Sequence, residues 1–201
     1  MPTSDGNADP LEPRRRHGSL TVICGCMFSG KTGRLIELLE AERVTGRCVV
    51  ACKHRLDARY DATRLATHDG QSFPAVATRN AAEVLSRAAE ADVVGIDEAQ
   101  FFGRPLTAVC QTLLSAGKTV IVAGIDHDTW GQPFPPLPEL KALADEVEQR
   151  YARCTVCGRP AEFHQRMVPV IGGNLVGGPQ EFEPRCAAHF TPLPPPAPAY
   201  E

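Results

Sequence analysis

Residues 24–35 read CGCMFSGKTGRL, and within them Gly25, Gly30, Lys31 and Thr32 satisfy the spacing G-x-x-x-x-G-K-[ST]. That pattern suits one chemistry well. Successive backbone N–H groups turn inward on phosphate oxygens, and glycine allows the tight path. A helix beginning just after the loop adds its positive end. Lys31 would place a point charge on the β- and γ-phosphates, and Thr32 a hydroxyl on Mg²⁺. A glycine-rich turn before a helix is the plain alternative. It is disfavoured because the motif follows an apolar run and opens a periodic one.

A phosphate cradle of this kind needs an acidic partner on a neighbouring strand. The segment VVGIDEAQFF supplies Asp97 and Glu98 at the end of an apolar run. Asp97 stands where a carboxylate helps hold the metal. Neighbours at a strand end point in different directions, so Glu98 can face an acceptor hydroxyl. A glutamate of ordinary pKa is ionised at neutral pH and can take that proton as the oxygen attacks the γ-phosphoryl group. Two other roles fit the motif as well: activating water in a plain ATPase, and capping the next segment.

A third group lies further on. Cys154-x-x-Cys157 and Cys186-x-x-His189 form two chelating knuckles, and together they complete a tetrahedron for Zn²⁺. Four protein ligands leave no coordination position for water, so the expected site is structural. Zinc there would contribute on the order of 10 kcal/mol to ordering a small lobe. The interval 158–185 contains the glycine-rich IGGNLVGGPQ, read as a mobile loop pinned at both ends by the metal. The remaining cysteines (24, 26, 48, 52 and 110) are expected to be small core residues.

The elements that must position these groups alternate. SLTVICG, RCVVACK, ADVVGID and KTVIVAGID are short runs rich in branched side chains, read as buried strands. TGRLIELLEAERVTG places Leu35, Leu38 and Leu39 on one helical face and ends at Gly46. NAAEVLSRAAE is a helix with Asn80 at its N-cap. RPLTAVCQTLLSAG is a helix stopped by Gly117, and LPELKALADEVEQR one more, with Pro138 near its start. Alternation of this kind predicts an α/β fold of the P-loop NTPase type. Its sheet should be mostly parallel and flanked by helices, with a small zinc-binding lid lobe added. The expected division is a disordered leader over 1–17, a nucleotide-binding domain over 18–150, a zinc lobe over 151–191 and a proline-rich tail over 192–201.

Bulk properties exclude other classes. The 201 residues are 43% hydrophobic and 22% charged, with a net charge of −3. That balance suits a soluble globular protein without a broad nucleic-acid surface. No apolar run nears the roughly 18 residues that span a bilayer. RRRHGSLTVICGCMF has a twin-arginine look, but its apolar part is short and runs into the glycine motif. It reads as a buried strand, and the chain as cytoplasmic, where the eight cysteines stay reduced.

Across residues 19–190 the chain resembles the zinc-containing thymidine kinases of bacteria and animal cytosol. The likeness rests on MFSGKT (27–32), DARY (57–60) with THDG (67–70), DEAQFF (97–102), AGID (123–126) with GQPF (131–134), and VIGG (170–173) beside the zinc ligands. It implies transfer of the ATP γ-phosphate to the 5′-hydroxyl of thymidine, in salvage of DNA precursors, with Glu98 as base and Mg²⁺ held at Thr32 and Asp97. It implies nucleotide contacts from Gly25, Cys26, Met27, Phe28, Ser29, Gly30, Lys31 and Thr32, and from Arg59, Asp97 and Gln100. It implies a nucleoside site at Met27, Phe101, Ile125, Thr129, His164, Ile171 and Phe182, covered by the loop between the knuckles, and a homotetramer. Three positions depart from the family pattern. Thr129, followed by Trp130, stands where Phe is usual, His164 where Thr or Ser is usual, and Phe182 where Tyr is usual. Trp130 either fills the space beside Thr129 or stacks on a base. His164 either donates in place of the hydroxyl, narrows the pocket, or lies at the surface of the small lobe. The acceptor is therefore thymidine or another nucleoside, and a silent ATP-binding regulator is the third possibility.

Overall fold

A computed structural model describes residues 18–57, 63–169, 177–192 and 194. The expected leader, most of the tail, Arg59, Ile171 and VIGG lie outside these residues.

The chain begins with strand β1 (Ser19–Cys24), the phosphate-loop segment and helix α1 (Lys31–Val44). Next come β2 (Val49–His54), the short β3 (Arg64–Ala66), β4 (Ser72–Pro74) and β5 (Val76–Thr78), and α2 (Ala81–Arg87). Strand β6 (Val93–Asp97), α3 (Pro105–Ser115) and β7 (Thr119–Gly124) follow. The six-stranded sheet runs β5–β2–β6–β7–β1 and ends in β8 (Glu146–Gln149); every pairing in it is parallel.

Strand alternation sorts the core into two layers. Leu20, Val22, Val94, Ile96, Val120 and Val122 face one side and pack under α2 and α3. Ile23, Ala51, Ile121 and Ala123 face the other and pack under Leu35, Ile36 and Leu39 of α1. Gly95 lets α1 come down on the sheet: a Cβ there would stand 2.6 Å from the Leu39 side chain. That close seat fixes the helix whose first turn carries Lys31 and Thr32. Asn80 caps α2 as expected, its Oδ1 accepting from Glu83 N–H at 3.0 Å.

Two readings need correction. The helix expected over 137–150 ends early: α4 spans Leu137–Leu143, and 146–149 is edge strand β8. Pairing with β1 outweighs helix propensity here. The Asp145 carboxylate accepts from Leu20 N–H at 2.8 Å, and Asp145 N–H donates to the Leu20 carbonyl at 2.9 Å. These bonds begin the ladder that pairs Thr21 with Glu146. Cys48 is exposed rather than buried, because it lies before the first residue of β2, outside the sheet core; Cys24, Cys26, Cys52 and Cys110 are buried.

Beyond β8 the chain makes two small antiparallel ladders, β9 (Ala152–Arg153) with β10 (Pro160–Ala161), and β11 (Phe163–Arg166) with β12 (Phe182–Arg185). No helix among the described residues is long and apolar enough to cross a membrane.

Candidate active site and metal centre

The phosphate loop leaves β1 through Gly25, at φ +147°, where a Cβ would stand 2.1 Å from the Arg150 carbonyl oxygen. Only glycine fits there. The loop closes on itself: Ser29 Oγ donates to the Cys26 carbonyl at 2.9 Å, and Lys31 Nζ donates to the same oxygen at 2.7 Å. Gly30, at φ 78°, is the N-cap of α1 and brings no side chain to bond the first amides of that helix. Those amides and the helix dipole are therefore directed at the loop. Phe28 also has a left-handed backbone, φ 65°, which turns its ring outward to 44% exposure.

At the opposite wall β6 ends in Asp97, whose Oδ2 accepts from Thr32 Oγ1 at 3.0 Å. Burial, then the charges of Glu98 and Asp57, push the Asp97 carboxyl well above the usual carboxylate range. A hard divalent cation with oxygen ligands suits such a cluster, because it offsets the crowded negative charge. Glu98 follows in left-handed conformation, φ 52° and ψ 49°. It turns away from the strand, and Gln100 Nε2 donates to its carboxylate. Gln100 Oε1 accepts from Ile125 N–H at 3.1 Å, tying this turn to the end of β7.

These groups share one cleft of about 290 Å³. Met27, Phe28, Gly30, Lys31, Thr32, Asp97, Glu98 and Ile125 line it. So do Asp57, Thr67, His68 and Pro179, which the sequence reading did not assign to the site. The signal for three of them was present in the DARY and THDG segments, but spacing alone gives those segments no chemical role.

The expected nucleoside residues divide. Met27, Ile125 and Phe182 meet in one buried apolar cluster, with Phe134 against it. His164, on β11, is 4% exposed, and its ring meets the Phe182 ring edge-on at 5.4 Å. It is therefore not a surface residue. Among the described residues its Nδ1 has no hydrogen-bond partner, and burial, then the Lys31 charge, lowers its pKa to about 4. Phe101 packs beside His54, at 6.0 Å between rings. Thr129 and Trp130 lie in a turn closed by Asp128, whose carboxylate accepts from Trp130 N–H and Gln132 N–H, each at 2.9 Å.

The four expected metal ligands do come together. Their ligand atoms all lie within 4.8 Å of one another. Cys157 Sγ and Cys186 Sγ are 3.7 Å apart, and His189 Nδ1 is 3.3 Å from Cys186 Sγ. Two Zn–S bonds of about 2.3 Å at a tetrahedral angle place their sulphurs about 3.8 Å apart, so the donor set fits zinc. The Arg159 guanidinium beside Cys157 holds that thiol below its ordinary pKa, which favours the thiolate a metal needs.

A sequence profile described as thymidine kinase matches residues 18–190. The chain belongs to the thymidine kinase family. Curated thymidine kinases agree over most of the length. The protein from Rhodothermus sp. is 43% identical over 188 residues, covering 91% of this chain and 88% of its own. That from Coprothermobacter proteolyticus is 44% identical, covering 89% and 93%. That from Bacteroides thetaiotaomicron is 42% identical, covering 89% of each. Membership makes this protein an enzyme of the kinase class, and the loop, acidic strand end and Cys₃His cluster all lie inside the matched span of the family.

Proposed function

We propose that the protein transfers the γ-phosphate of ATP to the 5′-hydroxyl of thymidine, giving thymidine monophosphate for DNA-precursor salvage. One observation carries this reading. Thr32 and Asp97 meet at 3.0 Å across the cleft, and Glu98, the next residue, lines the same cleft. A phosphate loop, a metal-binding hydroxyl–carboxylate pair and a second carboxylate held by Gln100 are thus adjacent, in a chain similar to proteins called thymidine kinase.

The proposed roles follow from position. Amides of Gly25, Cys26, Met27, Phe28, Ser29 and Gly30 cradle the triphosphate, and Lys31 exchanges its bond to the Cys26 carbonyl for phosphate oxygens. Mg²⁺, when bound at Thr32 and Asp97, neutralises charge on the β- and γ-phosphates. Glu98 takes the 5′-hydroxyl proton, with Gln100 orienting it; Arg59 joins the phosphate region. The Met27–Ile125–Phe182 wall receives the base, and Phe101, Thr129 and Ile171 complete the acceptor site. The Cys₃His cluster binds a structural zinc. The protein works as a cytoplasmic homotetramer without nucleic-acid binding.

His164 supports a second reading, in which another deoxynucleoside is the preferred acceptor. A buried imidazole nitrogen without a partner among the described residues, at the edge of an apolar wall, is a group that a base would have to satisfy. A panel of nucleosides with labelled ATP and zinc-loaded protein separates the readings. Labelled thymidine monophosphate as the main product supports the first. A different monophosphate supports the second, and ATP binding with no product from any nucleoside defeats both.

A further inference from the structure

The phosphate loop and the metal cluster share a wall, and one residue forms it. Cys26 is fully buried. It packs in a single cluster with Ala152, Ala161 and two of the metal-ligand cysteines, Cys154 and Cys186. Its thiol donates to the Ala161 carbonyl at 3.3 Å. Ala161 pairs with Ala152 across the β9–β10 ladder, and Cys154 follows two residues after Ala152. On its other side the Cys26 carbonyl accepts from Lys31 Nζ and Ser29 Oγ. Side chain and main chain of one residue thus hold the metal lobe and the phosphate-binding lysine respectively.

We propose that Cys26 is a positioning residue that couples metal occupancy to nucleotide affinity. The proposal rests on the reading of the loop as an ATP cradle. The ladder beneath Cys26 has only two residues per strand, too few to hold its shape by its own hydrogen bonds. A tetrahedral metal fixes Cys154 and Cys186, and through them the ladder and the Ala161 carbonyl. The Cys26 thiol follows that carbonyl, and the Cys26 backbone sets where Lys31 and the loop amides stand. Linkage makes the effect reciprocal: the factor by which metal raises nucleotide affinity is the factor by which nucleotide raises metal affinity.

Two titrations of the full chain test this. The first measures binding of a fluorescent, non-hydrolysable ATP analogue with Mg²⁺ to zinc-loaded and chelator-stripped protein. The second measures zinc affinity against a chromogenic chelator, with and without the analogue. Both factors are expected near 10-fold in the native sequence, within the usual range for coupled sites. Cys26→Ala and Cys26→Val lose the thiol donor, the latter while keeping apolar bulk, and both factors should fall to within about two-fold of unity. Cys26→Ser keeps a donor and should retain most of the coupling. A spectroscopic arm uses Co²⁺ in place of zinc. Adding the analogue should shift the thiolate-to-cobalt band in the native protein and leave it unmoved in Cys26→Val. Equal coupling in the native protein and in whichever of Cys26→Ala and Cys26→Val folds would overturn the proposal, as would unit coupling in the native protein. Nucleotide binding without coupling overturns this proposal alone; no binding by the zinc-loaded native protein overturns the ATP reading with it.

Discussion

Gln100 holds Glu98 at the mouth of the cleft. Its amide nitrogen donates to the Glu98 carboxylate, while its amide oxygen accepts from the Ile125 N–H at 3.1 Å. Gln100 is itself 6% exposed, so its two bonds are well defined. The arrangement links the carboxylate at the end of β6 to the segment after β7, two elements joined otherwise through the sheet.

The base role of Glu98 predicts a selective loss. Glu98→Gln keeps the size of the side chain and removes its capacity to take a proton. Turnover should fall by about 10²- to 10⁴-fold, the usual contribution of a positioned base. The dissociation constant for ATP should stay within about two-fold, since no phosphate contact is assigned to this side chain. Steady-state assays with equilibrium binding of ATP check both halves. Near-normal turnover would remove Glu98 from the chemistry.

The backbone of the same residue predicts a trade between stability and activity. A non-glycine residue in left-handed conformation carries about 1 kcal/mol or more of strain. Glu98→Gly relieves it, so the variant should gain about 1 kcal/mol in urea denaturation while losing turnover. A variant less stable than the native protein would show that the Gln100 bond outweighs the strain.

Metal retention predicts the behaviour of Cys157, which is exposed and makes little core packing. Cys157→Ser replaces a thiolate with a hydroxyl, a poor zinc ligand. After dialysis against a chelator that leaves the native protein loaded, the variant should hold little zinc. Limited proteolysis should then cut first between residues 151 and 191. Full metal content in the variant, measured by atomic absorption, would reject the ligand assignment.

Burial of His164 predicts a pH dependence of stability. Its pKa is about 4 in the folded protein against an ordinary value of 6.5. The unfolded chain therefore binds more protons between those values, and stability is lost as pH falls through that window. From pH 7.5 to 5.5 this one group should remove about 1 kcal/mol. His164→Gln should abolish that share of the slope, read as the difference between urea midpoints at the two pH values. An identical slope in both proteins would mean that His164 does not titrate as its burial implies.

Much of this protein was legible in its residues because the signals are local. Short apolar runs rich in branched side chains marked β1, β2, β6 and β7, and a side-chain cap marked the start of α2. The edge strand β8 was not legible. Its sequence, DEVEQ, continues a helical pattern, and only the pairing of Asp145 with Leu20 reveals that β1 had an open edge to fill. The site shows the same division. Gly25, Lys31 and Thr32 announced a cradle by spacing alone, whereas Asp57 reaches the cleft from the turn after β2, and Thr67 and His68 from the turn between β3 and β4, placements that spacing does not encode.

By itself the sequence determined which chemistry was possible: a glycine-lysine-threonine loop for phosphate, paired carboxylates on a strand end, and four soft ligands in two knuckles. Each is a short-range pattern, so its meaning survives without knowledge of the fold. Tertiary structure decided what these groups do to one another. It brought Asp97 within hydrogen-bond reach of Thr32, buried His164 against Phe182, and set the phosphate loop on the metal lobe through Cys26. Those are contacts between residues far apart in the chain, and only packing of the sheet, helices and small lobe could fix their distances.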